Sequence, residues 1–438
     1  MKGCTVTEEF FKDKKNPSRE DVAITKHHLT LSGRPLAYIA AAGYLTWDLE
    51  GNHNESQSLP FFTAYSKDQE SDPATRPIAF IIGSGDQAPL YSHLGGIGPK
   101  RISLSDEGTA LKPPSWLAHN PHTLLEVSDL VFIDSSSSQI GVISAFIETY
   151  LSRYERWSSP KFLLGEGLSG QAAISTLDDL QRRGIFCNGI ALLSTPLADT
   201  QGLLEPIFYL PSYAASAFYH KKLPKKLLKN VHQTLEEAER FSSLYAAALL
   251  QKKCGPLEEP FLQQIKDFTG IDSERLAQMN GQLSPAFFQH HLIGQETLHL
   301  KDSRLTYSRL DHHQSSLDGA FKTAYADYLK RELECERPFS SSKTGSKMPC
   351  KEQTPPLKDL LENAFLSNPH LKGFLGCGLF DLKAPYFASD LLFHSLSDVL
   401  KGRIHSKRYL AGHHLYLSQP TIKQLALHLK DFIRTAIL

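Results

Sequence analysis

Phe162-Leu163-Leu164-Gly165-Glu166-Gly167-Leu168-Ser169-Gly170 is the stretch that decides the fold. Its uninterrupted apolar start suits a short buried strand, and the glycines after it suit a sharp bend. Between residues 171 and 183 apolar side chains recur at helical spacing, so the order is strand, tight turn, helix. A turn of this kind strains the backbone at its apex and lifts the apical side chain above the sheet, with small residues around it to avoid clashes. The apex here is Gly167, which has no side chain to lift.

The same alternation extends outward. Residues 76–85 form a short apolar run that ends in a glycine-rich turn, and residues 130–134 and 161–165 are runs of the same type, with helical spacing at 142–156 between them. Two β-prone runs, 28–38 and 59–65, suggest an antiparallel start. This pattern predicts an α/β fold with a mostly parallel central sheet and helices on both faces. Between residues 197 and 336 helical patterns follow one another (235–251, 261–268, 273–279, 321–335) with few strand candidates, so a mainly helical cap insertion is expected there. Residues 337–356 lack apolar periodicity and read as a flexible connector. Strand signals return at 371–376 and 408–410, and a last amphipathic helix spans 421–437. The expected division is therefore a polar leader (1–21), a first core part (22–196), the cap insertion (197–336), the connector (337–356) and a second core part (357–438).

Composition excludes some functions. Lys+Arg and Asp+Glu both total 47 in 438 residues, so no excess charge draws the chain to nucleic acid or to an anionic membrane. The six cysteines stand far apart with no CxxC pair, which favours free thiols in a reducing compartment. The leader is polar and no 18-residue apolar run occurs, so the expectation is a soluble protein, cytoplasmic as made, with secretion independent of a signal left open. The histidine pairs His27/His28, His290/His291 and His312/His313, together with His414, read as solvated or cap-packing side chains, because adjacent histidines diverge and no carboxylate stands at helical spacing from them. No metal and no cofactor is expected.

Downstream of the bend, Asp381 in Gly378-Leu379-Phe380-Asp381 follows a strand, and His413 in Leu410-Ala411-Gly412-His413-His414 precedes the final helix. Nucleophile turn, acid, histidine is the chain order of the α/β-hydrolase fold, in which histidine is the general base and the acid fixes its tautomer. From about Val22 to the C-terminus the chain resembles the serine carboxypeptidases, most closely their bacterial members. The matching segments include Ser92 to Arg101, Asn120 to Asp134, and Leu210 to Pro224, where the family's helical insertion begins. The resemblance implies that Asp381 and His413 are the catalytic acid and base, that Glu166 is the elbow glutamate that helps bind a substrate's C-terminal carboxylate, and that removal of C-terminal residues was the ancestral activity. Gly83 and Ser84, in the oxyanion stretch Ile82 to Ala88, and Leu168, after the apex, become candidate substrate-binding residues.

Three stretches depart from the family together. GEGLSG replaces GESYG or GESYA, which leaves the nucleophile position vacant at Gly167; Ile82-Gly83-Ser84-Gly85-Asp86 replaces NGGPG; and Ser135 to Gly141 replaces PVGTGYS. Without a hydroxyl at the apex no acyl-enzyme forms there. Asp86 would repel developing negative charge, and Ile82 cannot hydrogen-bond a carboxylate. Three readings follow. One is a pseudo-hydrolase that binds a peptide, a small acyl ligand or a protein partner. Another is a hydrolase with a displaced nucleophile, Ser169 or Ser84, or a histidine-activated water. The third is a pure interaction module acting through the cap. Ser169, two residues past the apex, is expected on the first helical turn and turned away from the site, and the serines from Ser135 to Ser138 are expected as polar loop.

Overall fold

The computed structural model describes residues 22–31, 33–48, 56–68, 72, 75–84, 90–106, 108–112, 114–135, 140–251, 256–307, 313–336 and 356–438. The leader, most of the connector, Asp86 and Ser136 to Ser138 lie outside the described residues, as does the side chain of Ser84.

The strands are β1 (Val22–Leu31), β2 (Arg34–Asp48), β3 (Ser56–Lys67), β4 (Ile78–Ser84), β5 (Lys100–Ile102), β6 (Leu117–His119), β7 (Asp129–Ser135), β8 (Lys161–Glu166), β9 (Gly189–Leu193), β10 (Thr297–His299), β11 (Asp302–Tyr307), β12 (Lys372–Gly378) and β13 (Ile404–Tyr409). Successive side chains of a strand point to opposite faces. In β4, Ile78, Phe80 and Ile82 enter one apolar cluster while Ala79 and Ile81 enter the other, so the strand is buried on both sides. Such a strand belongs in the middle of a parallel sheet. The order β1-β2-β3-β7-β4-β8-β9-β12-β13 forms nine strands. Pairing is antiparallel from β1 to β7 and parallel from β7 to β13.

One face is covered by the helices Ile140–Arg153, Leu168–Arg182 and Leu357–Ser367, the other by Tyr91–Ile97, His313–Arg331 and Gln419–Thr435. Between β9 and β12 the helices Glu205–Tyr219, Val231–Gln251, Glu259–Thr269, Ser273–Gln278 and Pro285–His291 build a core of their own. That region also holds the hairpin β10–β11, where no strand was expected: the alternation of Thr297 to Lys301 is short, and Lys301 to Arg304 is wholly polar.

Two ionic knots fasten these layers. At the start of β7, Asp129 is 2% exposed and accepts from Arg76 Nε and Arg156 Nη1, both at 2.7 Å, and from the Lys67 amide at 3.1 Å. On the far side of the sheet, Arg408 of β13 pairs with Glu239 of Val231–Gln251 at 2.8 Å and with Asp390 of Tyr386–Ser395 at 2.6 Å. Burial outweighs Arg408 and pushes the Asp390 carboxyl up to about 6. A carboxyl with a raised folded pKa favours the fold below its unfolded pKa, and that contribution disappears as pH rises through about 6. Asp390→Asn should therefore cost less stability, or gain more, at pH 7.5 than at pH 4.5, by about 2 kcal/mol, since the unfolded carboxyl is already mostly ionised at the lower pH. Urea midpoints of both proteins at the two pH values check this, and equal differences would refute it.

Candidate active site

β8 ends at Glu166, and the helix Leu168–Arg182 begins one residue later, so the chain reverses over Gly167. Gly167 has φ 56° and ψ −128°, a conformation that side chains rarely adopt. The bend is tight enough that a β-carbon on Gly165 would lie 2.6 Å from Gly170 Cα. Beyond it, Ala173, Ile174, Leu177 and Leu180 recur at helical spacing and bind the helix to the sheet.

Of the residues picked out in the sequence, His413 reaches this bend and brings Asp381 behind it. A β-carbon placed on Gly167 would sit 2.9 Å from Nε2 and 3.3 Å from Cε1 of His413. Among the described residues, and leaving its chain neighbours aside, no other heavy atom comes within 4 Å of that point. The imidazole thus closes directly on the bare apex. Its other nitrogen, Nδ1, lies 2.7 Å from Oδ2 of Asp381, and a carboxylate only accepts, so Nδ1 donates. Asp381 is fully buried and is held through Oδ1 by the amides of Lys383 (2.7 Å) and Ala384 (3.0 Å). Burial disfavours the His413 cation, but the charge and hydrogen bond of Asp381 outweigh it and raise the histidine above its ordinary pKa.

Ser169 is 2% exposed on the first turn of the helix, and its hydroxyl is not among the atoms near the apex. Gly83 and Ser84 form the end of β4, opposite Asp134 and Ser135 of β7. Ser135 is buried, and Leu168 is largely exposed beside the apex.

Glu166 is committed elsewhere. Its side chain is 9% exposed, and its two oxygens accept from His414 Nδ1 at 3.0 Å and from the Tyr416 hydroxyl. Burial alone would raise this carboxyl, but His414 and Tyr416 hold it below the usual glutamate range. His414 itself stacks on Tyr91, 4.3 Å between centroids and 3° apart, and burial lowers its pKa. The expectation of solvated or cap-packing histidines fails here: His414 is a buried partner of Glu166, and its Nε2 has no hydrogen-bond partner among the described residues. Residues 413–416 lie in bend and turn, so no periodic signal in the sequence marked the pairing of His414 and Tyr416 with Glu166. His291 stacks on Phe287 within the inserted region, as expected, whereas half-buried His27 on β1 bonds Thr25 and stacks on Tyr38 of β2. Among the described residues no three His, Cys, Asp or Glu side chains gather as a metal would need, and no helix is long and apolar enough to cross a membrane.

A mostly parallel sheet, a strand-to-helix bend after β8, an acid after β12 and a histidine before the last helix define the α/β-hydrolase fold. No protein-family model matches the chain, and neither does any curated protein. Solved structures do. Kex1ΔP, a prohormone-processing carboxypeptidase from Saccharomyces cerevisiae, is similar at TM-score 0.52 and 14% identity over 91% of each chain. A soluble variant of monoglyceride lipase from the same yeast reaches TM-score 0.35 at 12% identity, covering 97% of this chain and 99% of its own. A thermophilic esterase from Thermogutta terrifontis reaches 0.35 at 9% identity, covering 90% and 98%. At these identities the likeness extends to the fold alone.

Proposed function

We propose that this chain is a serine carboxypeptidase-like pseudo-hydrolase, which keeps the acid and histidine of a hydrolytic triad, lacks the nucleophile, and binds a peptide or small acyl ligand beneath its inserted helices. The observation that carries the reading is the approach of His413 Nε2 to the place of a side chain that Gly167 does not have. A serine at an active elbow needs that space for its oxygen; here the base has moved into it. Deleting one triad member leaves about 10³–10⁴-fold acceleration, supplied by binding and the oxyanion hole. The state of Glu166 points the same way. With both oxygens taken by His414 and Tyr416 and its charge retained, it has no proton to offer a ligand's carboxylate and repels it. The peptidase way of reading a C-terminus is therefore lost along with the nucleophile.

The native protein should remain unlabelled by a fluorophosphonate probe under conditions that fully label an active serine hydrolase, as judged by intact mass. Covalent labelling of any serine, mapped to its peptide, would replace this reading with that of a hydrolase using a displaced nucleophile.

A further inference from the structure

Behind the His413 imidazole three backbone segments lie against one another: the loop after β12 that carries Asp381, the loop after β13 that carries His413, and the hairpin β10–β11. The hairpin belongs to the inserted region. Leu298 packs in that region's core, and Ser303 lies 2.6 Å from the Ser216 hydroxyl and accepts from His220 Nε2 at 2.7 Å through its carbonyl. With its other side the same hairpin holds both loops. Toward Asp381, the Leu382 amide donates to the Leu300 carbonyl at 3.0 Å, and the Ser303 amide and hydroxyl each donate to the Phe380 carbonyl at 3.0 Å. Toward His413, the His413 amide donates to the Lys301 carbonyl at 2.5 Å, and Arg304 Nη1 to the Leu410 carbonyl at 2.9 Å.

Arg304 spans the two. Bonds to Asp302 at 2.9 and 2.6 Å fix its guanidinium, which lies 5.2 Å above the Phe380 ring while it bonds Leu410. The segments come this close because two residues lack side chains. A β-carbon on Gly412 would lie 2.5 Å from Asp302 Cβ, and one on Gly378 would lie 2.6 Å from the Ala411 carbonyl oxygen. In an intact triad an imidazole is held between acid and hydroxyl. Here the hairpin adds a hold of its own, on the backbone that carries the ring.

We propose that the hairpin β10–β11 is the positioning element of the Asp381–His413 pair, with Arg304 as the positioning residue that joins the two loops. This goes beyond the functional reading above and does not depend on it, since the grip acts on the loops whether or not a nucleophile is present. Movement of the inserted region relative to the sheet is then felt at His413 as well as at the Arg408–Glu239 pair.

Native-state hydrogen exchange tests the idea first in the unaltered protein: the amides of Leu382, Ser303 and His413 should open together, as one cooperative unit. Arg304→Met should speed exchange at His413 by about tenfold, the loss of one charge-assisted hydrogen bond. It should also lower the His413 titration midpoint, read by imidazole NMR, because the ring faces Asp381, Glu166 and Lys301 and loosening weakens the first of these. Arg304→Lys should restore part of both effects, and Arg240→Met, which breaks an exposed pair with Glu236 in the same region, should change neither. Should Arg304→Met fail to fold, Ser303→Ala is read in the same way. Separate opening of the three amides in the native protein, or an unchanged His413 midpoint and amide in a variant that only loses global stability, overturns the proposal.

Discussion

Gly167→Ser should be labelled by fluorophosphonates at the new hydroxyl, with adduct formation complete within hours, against no adduct expected on the native chain. The backbone at Gly167 already holds the strained conformation of a nucleophile turn, φ 56° and ψ −128°. At the apex itself the side chain and its room are missing. The β-carbon would stand 2.9 Å from His413 Nε2, so the ring has to withdraw by several tenths of an ångström. On its far side the ring is bonded to Asp381 at 2.7 Å. General-base assistance contributes about 10²–10⁴ in rate, so adding His413→Ala to Gly167→Ser should slow labelling by about that factor. A residue other than glycine at positive φ costs about 1–3 kcal/mol, and the variant should unfold at correspondingly lower urea. A folded Gly167→Ser protein that stays unlabelled would mean that the pair no longer serves a hydroxyl at this apex.

Asp129→Ala should be the most damaging single substitution for stability. The carboxylate sits 2% exposed between two arginines that are themselves 10% and 3% exposed, and each guanidinium has further partners: Arg156 bonds the Arg76 carbonyl at 2.9 Å and Ser159 at 2.7 Å, and Arg76 bonds the Leu125 carbonyl. Truncating the acid leaves two buried cations and the Lys67 amide without their acceptor. Breaking a buried ion pair from one side costs about 3–5 kcal/mol, far more than an exposed pair is worth. The same truncation at Asp179, in an exposed pair with Arg183 at 3.1 Å, should cost under about 1 kcal/mol. Equilibrium unfolding of both variants makes the comparison, and a loss below about 1 kcal/mol at Asp129 would mean that water replaces the acid.

What was legible in the sequence was what repeats with a period or turns on a glycine. The strand before Gly165, the bend and the helix after it were readable because burial on both faces demands an apolar run and the bend demands small residues. Asp381 and His413 were readable from their order after that bend, and the structure brings them to 2.7 Å. Long-range pairing between polar side chains left no such trace. Nothing in Glu166, His414 and Tyr416 announces that 248 and 250 positions separate hydrogen-bonded partners. Tyr91, which stacks beneath His414 and donates to Asp318, stood out no more. The hairpin β10–β11 was illegible for a related reason: its order comes from backbone bonds to two loops, which any polar sequence can make. The glycine in Ala411-Gly412-His413 was visible, but its cause, a carbonyl crowding in from the insertion, was not.

The ionised Glu166 one step before the bend has a last consequence. Its lone pairs are already spoken for, so it cannot greet a guest, yet after Asp381 its charge is the next to favour the His413 cation against the cost of burial. A guest on this floor therefore meets a giver of hydrogen below the midpoint of His413 and a taker above it, so carbonyl oxygens should be held better in acid and alcohols better in base.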